Sequence, residues 1–165
     1  MQIGQLIEEM IHFYNGSHHD ICHFLKVYAY ARTIGLQENL PESRQQALEA
    51  AAVLHDIACP LCREKYGKAD AAHQEQEGPA LAAVLLEKVG ADTRLKNRVC
   101  YLVGHHHTHT FVDALDHRIL LEADFLVNAH EGGLDKAAVR AGAARLFRTD
   151  AGLRLLKSMY KYDEE

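Results

Sequence analysis

Ala50-Ala51-Ala52-Val53-Leu54-His55-Asp56-Ile57 reads as the end of a helix buried on every side. With Ala47 and Leu48 before it, the run is almost continuously small or apolar, which describes a central helix. It delivers two polar residues, His55 and Asp56, at its C-terminal end. Adjacent residues differ by about 100° around a helix axis. Both side chains therefore reach one point only if that point lies against the helix end. A carboxylate there faces the negative end of the helix dipole and needs a positive neighbour. A divalent ion is such a neighbour, and imidazole nitrogen with carboxylate oxygen suits Zn, Mn or Fe(II). For a lone His-Asp pair in a chain with 12 histidines a capped helix end is the commoner explanation, so the rest of the chain decides.

Before this run, Ile3, Leu6, Ile7, Met10, Ile11 and Tyr14 fall at helical spacing over residues 2–14, and Asn15-Gly16 stops them. Ser17-His18-His19-Asp20 reads as a capping box opening a second helix that runs to Ile34 and ends at Gly35. Phe24, Val27, Tyr28 and Ala31 form its apolar stripe. His23, four residues before Val27, shares part of that face, where a core histidine and a metal ligand look alike. Pro41 opens the central helix, at a first-turn position where its missing N–H costs little.

After the run, residues 58–69 read as a polar loop carrying Arg63, Lys65 and Lys68, either solvated or a phosphate clamp over the site. A fourth helix spans Asp70 to Lys88 with Gly90 at its C-terminal cap. Pro79 inside it predicts a kink, or a helix that begins near Gly78. Asp92-Thr93 caps a fifth helix, with Leu95, Val99, Leu102 and Val103 inward, ending in Gly104-His105-His106-His107-Thr108-His109. His106 and His107 continue the inward face, while His105 and His109 do not. A sixth helix, from Leu115 to Ala129, carries Asp124 within an apolar stripe. Buried and unpaired, such a carboxylate costs several kcal/mol, so it needs a metal, a basic partner or solvent. Gly132-Gly133 breaks the chain before helices at Leu134–Phe147 and Gly152–Tyr160. The tail from Tyr162 to Glu165 is expected to fray. No period-2 alternation marks a strand.

With 165 residues, 48% hydrophobic and 25% charged, the chain suits one soluble domain with a real core. No apolar run approaches the roughly 20 residues needed to span a bilayer. The first residues lack the basic and apolar blocks of a signal peptide, which gives a cytoplasmic expectation. A net charge of -5 argues against a large nucleic-acid footprint, but not against a small phosphorylated ligand held through a metal. The four cysteines are no disulfide framework. Cys59-Pro60-Leu61-Cys62 has no second pair, and reduced, partly buried thiols are expected.

His23, His55-Asp56, the histidines at 105–107 and Asp124 thus sit on or at the ends of different helices, each near an apolar face. In this order the chain resembles the HD-domain metal-dependent phosphohydrolase superfamily. The resemblance covers about residues 17–130 and lies in Asp20-Ile21-Cys22-His23-Phe24-Leu25-Lys26-Val27, Ala51-Ala52-Val53-Leu54-His55-Asp56-Ile57 and Glu122-Ala123-Asp124-Phe125-Leu126. It implies an all-α, HD-domain-like bundle of about six core helices plus C-terminal helices. One HD-type domain over 1–165 is expected, with a core at 17–130, and the flanking helices at 1–15 and 134–160 could by their position carry a homo-oligomeric interface. The implied metal ligands are His23, His55, Asp56 and Asp124.

Many HD proteins hold a second ion, for which Glu77, His106 and His107 are the candidates here. Relatives that hydrolyse dinucleoside tetraphosphates carry His-Gly-Pro where this chain has Glu77-Gly78-Pro79. Either Glu77 ligates a hard cation or the second ion is absent. The next family histidine matches His106 or His107, and spacing does not choose. No Gly-Tyr-Pro follows, so the cyclic-di-GMP phosphodiesterase signature is missing. Tyr101-Leu102-Val103-Gly104-His105-His106-His107-Thr108 and Glu122-Ala123-Asp124-Phe125-Leu126-Val127-Asn128 are also similar to small stand-alone bacterial HD proteins, which implies a free-standing enzyme.

The implied reaction is hydrolysis of a phosphate ester or anhydride, with nucleotides as the substrates by family analogy. One or two divalent ions (Mn, Fe, Zn, Ni, Co or Mg) would activate water. Asp56 would orient or deprotonate that water. Lys26, Arg63, Lys65, Lys68 and Asn128 are candidates to hold the substrate. The competing readings are a non-catalytic metal- or nucleotide-binding module and a di-iron HD-type oxygenase.

Overall fold

The computed structural model describes residues 1–161, so the tail from Tyr162 to Glu165 lies outside the described residues. Within them the chain forms nine helices and no strand. They are α1 (Ile3–Tyr14), α2 (His18–Gln37), α3 (Glu42–Leu54), α4 (Cys59–Tyr66), α5 (Ala71–Lys88), α6 (Thr93–Val103), α7 (Leu115–Glu131), α8 (Lys136–Leu146) and α9 (Asp150–Tyr160). The all-α expectation holds. No helix among the described residues is long and apolar enough to cross a membrane.

The alanine-rich helix α3 is the hub. Ala47, Leu48 and every residue from Ala50 to Leu54 are buried. Small side chains let other helices approach it from several sides, and α1, α2, α6 and α7 all pack on it. The pair α2 and α7 closes over a second side, and α5 rests on α6. One continuous core runs through them from Leu6 to Leu156.

Several boundaries differ from the sequence expectations, each for a physical reason. Helix α2 does not stop at Gly35 but continues to Gln37. That glycine serves packing: a Cβ there would meet the Gln45 amide and lie 2.9 Å from Leu48 Cδ2 of α3. Ser17 does not cap through its side chain; its hydroxyl donates to the Asp20 carboxylate at 2.6 Å instead. Pro41 sits one residue outside α3, as its N-cap. The polar loop expected at 58–69 contains α4, with Pro60 in its first turn and Gly67 ending it at φ 74°. Helix α5 runs unbroken through Pro79, and Gly78 beside it makes room for Val103 of α6. Helix α7 continues past Ala129 to Glu131.

The carboxylate of Glu122, fully buried on α7, docks the C-terminal corner. It accepts from the backbone N–H groups of Arg148 (2.7 Å) and Thr149 (3.1 Å) and from the Thr149 hydroxyl. Thr149 in turn caps α9.

Candidate metal centre

Four separate pieces of chain meet at one end of α3. The chain stays helical through His55, which has φ -54° and ψ -42°. That local geometry sends the His55 ring inward and turns Asp56 beside it. The Tyr14 hydroxyl of α1 fixes the turn by donating to the Asp56 carbonyl at 2.8 Å. His23 arrives from α2, Asp124 from the middle of α7, and His106 and His107 from the turn that follows α6.

Their ligand atoms converge. His23 Nε2 lies 3.2 Å from His55 Nε2, 3.3 Å from Asp124 Oδ1 and 3.4 Å from Asp56 Oδ2. His55 Nε2 lies 3.4 Å from Asp124 Oδ1 and 3.5 Å from Asp56 Oδ2. The second oxygen of Asp56, Oδ1, is 3.4 Å from His106 Nε2. His106, His107 and Asp56 make a second set, each offering an atom within 4.8 Å of the others. Asp56 is therefore shared: one oxygen faces His23 and His55, and the other faces His106.

The far sides of His55, His106 and His23 are already committed. His55 Nδ1 donates to the Ala52 carbonyl at 2.9 Å, and His106 Nδ1 to the Val103 carbonyl at 2.7 Å. A carbonyl only accepts, so both Nδ1 atoms carry a hydrogen, and in the neutral ring each Nε2 turns a lone pair inward. His23 Nδ1 is held 2.8 Å from the Glu131 carboxylate and donates to it. Two neutral Nε2 atoms 3.2 Å apart repel unless a proton or a cation lies between them. Burial leaves His106 Nε2, His107 Nε2 and Asp124 Oδ1 without a hydrogen-bond partner, which is costly for polar atoms.

A divalent ion resolves these conflicts. Nitrogen or oxygen ligands about 2.0–2.1 Å from one ion at angles of 90–110° stand about 2.8–3.4 Å from each other. His23 Nε2 and His55 Nε2 stand 3.2 Å from each other and 3.3–3.5 Å from Asp56 Oδ2 and Asp124 Oδ1, so the two imidazoles fit an ion together with either carboxylate.

Charge leads to the same place. Among the described residues the ion pairs of Asp56 and Asp124 run to imidazoles. Burial pushes both carboxyls up, yet His55 and His106 around Asp56, and His23 and His55 around Asp124, hold them well below the usual carboxylate range. Burial opposes a charge on His55, but Asp56 and Asp124 outweigh it and raise its pKa to about 9. Burial likewise opposes a charge on His23, which Asp124 raises. His107 is pushed down to about 4 by burial and by His106 beside it.

The remaining candidates are dispersed around this centre. Glu77 is not in either ligand set; its carboxylate accepts from Lys65 (2.7 Å) and the Tyr66 hydroxyl (2.6 Å). Arg63 donates to Asp20 at 2.9 Å, Lys68 pairs with Asp70 at 2.9 Å, and Lys26 donates to Glu131 at 2.9 Å. Asn128 is exposed on α7. His105 turns away, donating to the Tyr101 carbonyl and stacking on that ring. Cys59 and Cys62 are free, buried thiols, and Cys59 donates to Gln74.

Sequence reasoning missed the residues that hold this geometry. Glu75 accepts from the His107 backbone N–H at 2.9 Å and from the Thr108 hydroxyl. His117, fully buried, donates through Nε2 to the His105 carbonyl at 2.9 Å, and Asp116 beside it is gripped by Arg44 and Arg98. These contacts fix the histidine turn. Glu131 was legible in principle, because it follows Asp124 by seven residues and so lies on the same helical stripe.

The HD domain profile matches residues 20–139 of the chain. The crystal structure of a predicted HD superfamily hydrolase from an uncultured Thermotogales bacterium is similar at 26% identity and a TM-score of 0.64, over 98% of this chain and 84% of that one. Among curated proteins none matches the chain.

Proposed function

The chain belongs to the HD-domain family, and from that premise we propose that it is a metal-dependent phosphohydrolase cleaving a phosphate ester or anhydride, with nucleotides as the substrate class. The supporting observation is the pair of imidazole Nε2 atoms 3.2 Å apart, flanked by the buried Asp124 and the partly exposed Asp56, whose ion-pair partners among the described residues are imidazoles. His23, His55, Asp56 and Asp124 would hold one divalent ion. Asp56, His106 and His107 are the set for a second. A divalent ion bound there supplies a water of lowered pKa and a Lewis acid for a phosphoryl oxygen.

The chain's own residues do the rest. Asp56 spans both sets, and its carboxylate would orient the attacking water and take its proton. Asp124 and the imidazoles exclude bulk water from the inner side. Lys26 at the rim is half-exposed and paired with Glu131, and it would receive a phosphoryl oxygen as an ion-pairing donor. Arg63, Lys65 and Lys68 are each committed to a carboxylate, and an arriving phosphate would compete for them.

The test is a hydrolysis panel of p-nitrophenyl phosphate, bis(p-nitrophenyl) phosphate and nucleoside mono-, di- and triphosphates with Mn, Co or Mg. Wild type is compared with the His55→Ala, Asp56→Ala double variant. Turnover by wild type alone supports the proposal. A fully metallated wild type that hydrolyses nothing in the panel overturns it in favour of a binding module. An iron-loaded protein that consumes O₂ would turn it into an oxygenase.

A further inference from the structure

His55 and His106 take their orientation from backbone carbonyls three residues earlier, within their own helix ends. Those bonds come with the helix and no single side chain controls them. His23 differs, because its Nδ1 is held by a side chain from another element: Glu131, the last residue of α7. We infer that Glu131 is a positioning residue that sets the ligand competence of His23 and joins it to Lys26 at the rim. The inference rests on the metal-centre reading above.

Glu131 is largely buried, with its side chain 17% exposed, and its two oxygens are divided. Oε2 accepts from His23 Nδ1 at 2.8 Å, and Oε1 accepts from Lys26 Nζ at 2.9 Å. His19 stands 3.8 Å from Oε2. Lys26 follows His23 by three residues, so both lie on one side of α2 and meet the same carboxylate. A carboxylate accepting the Nδ1 hydrogen fixes the tautomer, locks the ring and makes Nε2 a stronger donor to a metal. Lys26 withdraws part of that electron density. An oxyanion that engages Lys26 leaves Glu131 to His23 alone. The cation that receives substrate and the imidazole that would hold metal therefore answer to one carboxylate. The Gly132-Gly133 turn, with Gly133 at φ 61°, ends α7 directly after Glu131 and keeps it at the helix end facing α2.

The test titrates Co²⁺ into chelator-stripped full-length protein and reads both affinity and the visible absorption of bound cobalt. Losses of about 10–100-fold in affinity are typical when such a partner is removed, and Glu131→Ala should fall in that range with a shifted cobalt band. Glu131→Gln keeps an oxygen that accepts from Nδ1, so it should recover most of the affinity and the band position. Lys26→Met should bind cobalt within about threefold of wild type, because it leaves the His23 bond intact. Glu131→Ala binding cobalt as tightly as wild type, with an unchanged spectrum, overturns the inference and leaves the metal centre standing. A loss in Lys26→Met as large as that in Glu131→Ala also overturns it, since rim charge would then set affinity. If wild type itself binds cobalt no better than the His55→Ala, Asp56→Ala variant, the metal-centre reading fails first. Should Glu131→Ala not fold, the glutamine variant carries the decision: a cobalt site as weak and as shifted as that of Asp124→Ala would overturn the assigned role of the retained oxygen.

Discussion

Stripped of metal, the protein should lose stability as pH rises from about 6.5 to about 9, and His55 is the reason. Its ordinary pKa of 6.5 is opposed by burial but raised to about 9 by Asp56 and Asp124. A histidine whose folded pKa lies above its unfolded value adds stability that is complete below pH 6.5. That stability disappears as pH climbs through 9. The interval of about 2.5 units, at 1.36 kcal/mol each, sets a contribution of at most about 3 kcal/mol. At about 2.1 cal/mol/K of unfolding entropy per residue, this chain melts with about 0.35 kcal/mol/K, so the midpoint should fall by up to about 9 °C. His23 is raised too and acts in the same direction. His107, pushed down to about 4, acts below pH 6.5, and the depressed Asp56 and Asp124 act further to the acid side, so none intrudes in the window. The assay is calorimetry in EDTA at pH 6, 7.5 and 9.5, with His55→Ala as control. A flat midpoint in wild type, or an equal decline in His55→Ala, would refute the reasoning.

Three further outcomes follow from the geometry. Glu122→Ala strands two backbone N–H groups and the Thr149 hydroxyl at the α8–α9 corner; it should cost about 2–4 kcal/mol in urea unfolding, with metal affinity unchanged. Gly35→Ala puts a methyl against Gln45 and Leu48, and calorimetry should record a loss of about 1–3 kcal/mol despite the better helix former. Glu77→Ala should leave the bound-metal count by elemental analysis at the wild-type value, because Lys65 and Tyr66 hold that carboxylate; His107→Ala should lower it, and the opposite pattern would make Glu77 the ligand.

The sequence made the frame legible because the cues were local. Helical spacing, Asp92, Gly90 and Gly104 marked helix ends that the structure also has. The buried run 50–54 named α3 as the hub for the same reason: unbroken small apolar sequence has no solvent face to offer. Glycine was the main source of error. Gly35 looked like a stop and Gly78 beside Pro79 like a kink or a start, but both are points of close approach, and only the neighbours Leu48 and Val103 reveal that. Helix α4 was hidden because its eight residues carry little apolar periodicity and depend on packing against α5. At the centre, His23, His55, Asp56 and Asp124 could be collected from order and chemistry, and the structure brings them together. The choice between His105, His106 and His107 needed the turn geometry, which puts His106 Nε2 against Asp56 and sends His105 to Tyr101. Glu131 was lost with the last turn of α7, and the rim cations could not be known to be paired until their carboxylates were in place.

The most direct test of the central claim is an anomalous difference map from a crystal of the chain grown with Mn²⁺ or Zn²⁺ and measured at the metal's absorption edge. The account predicts a peak among His23 Nε2, His55 Nε2, Asp56 Oδ2 and Asp124 Oδ1, and any second peak on the Oδ1 side of Asp56 facing His106. A map with saturating metal and no peak among those four atoms, or with its peak elsewhere on the protein, would contradict it.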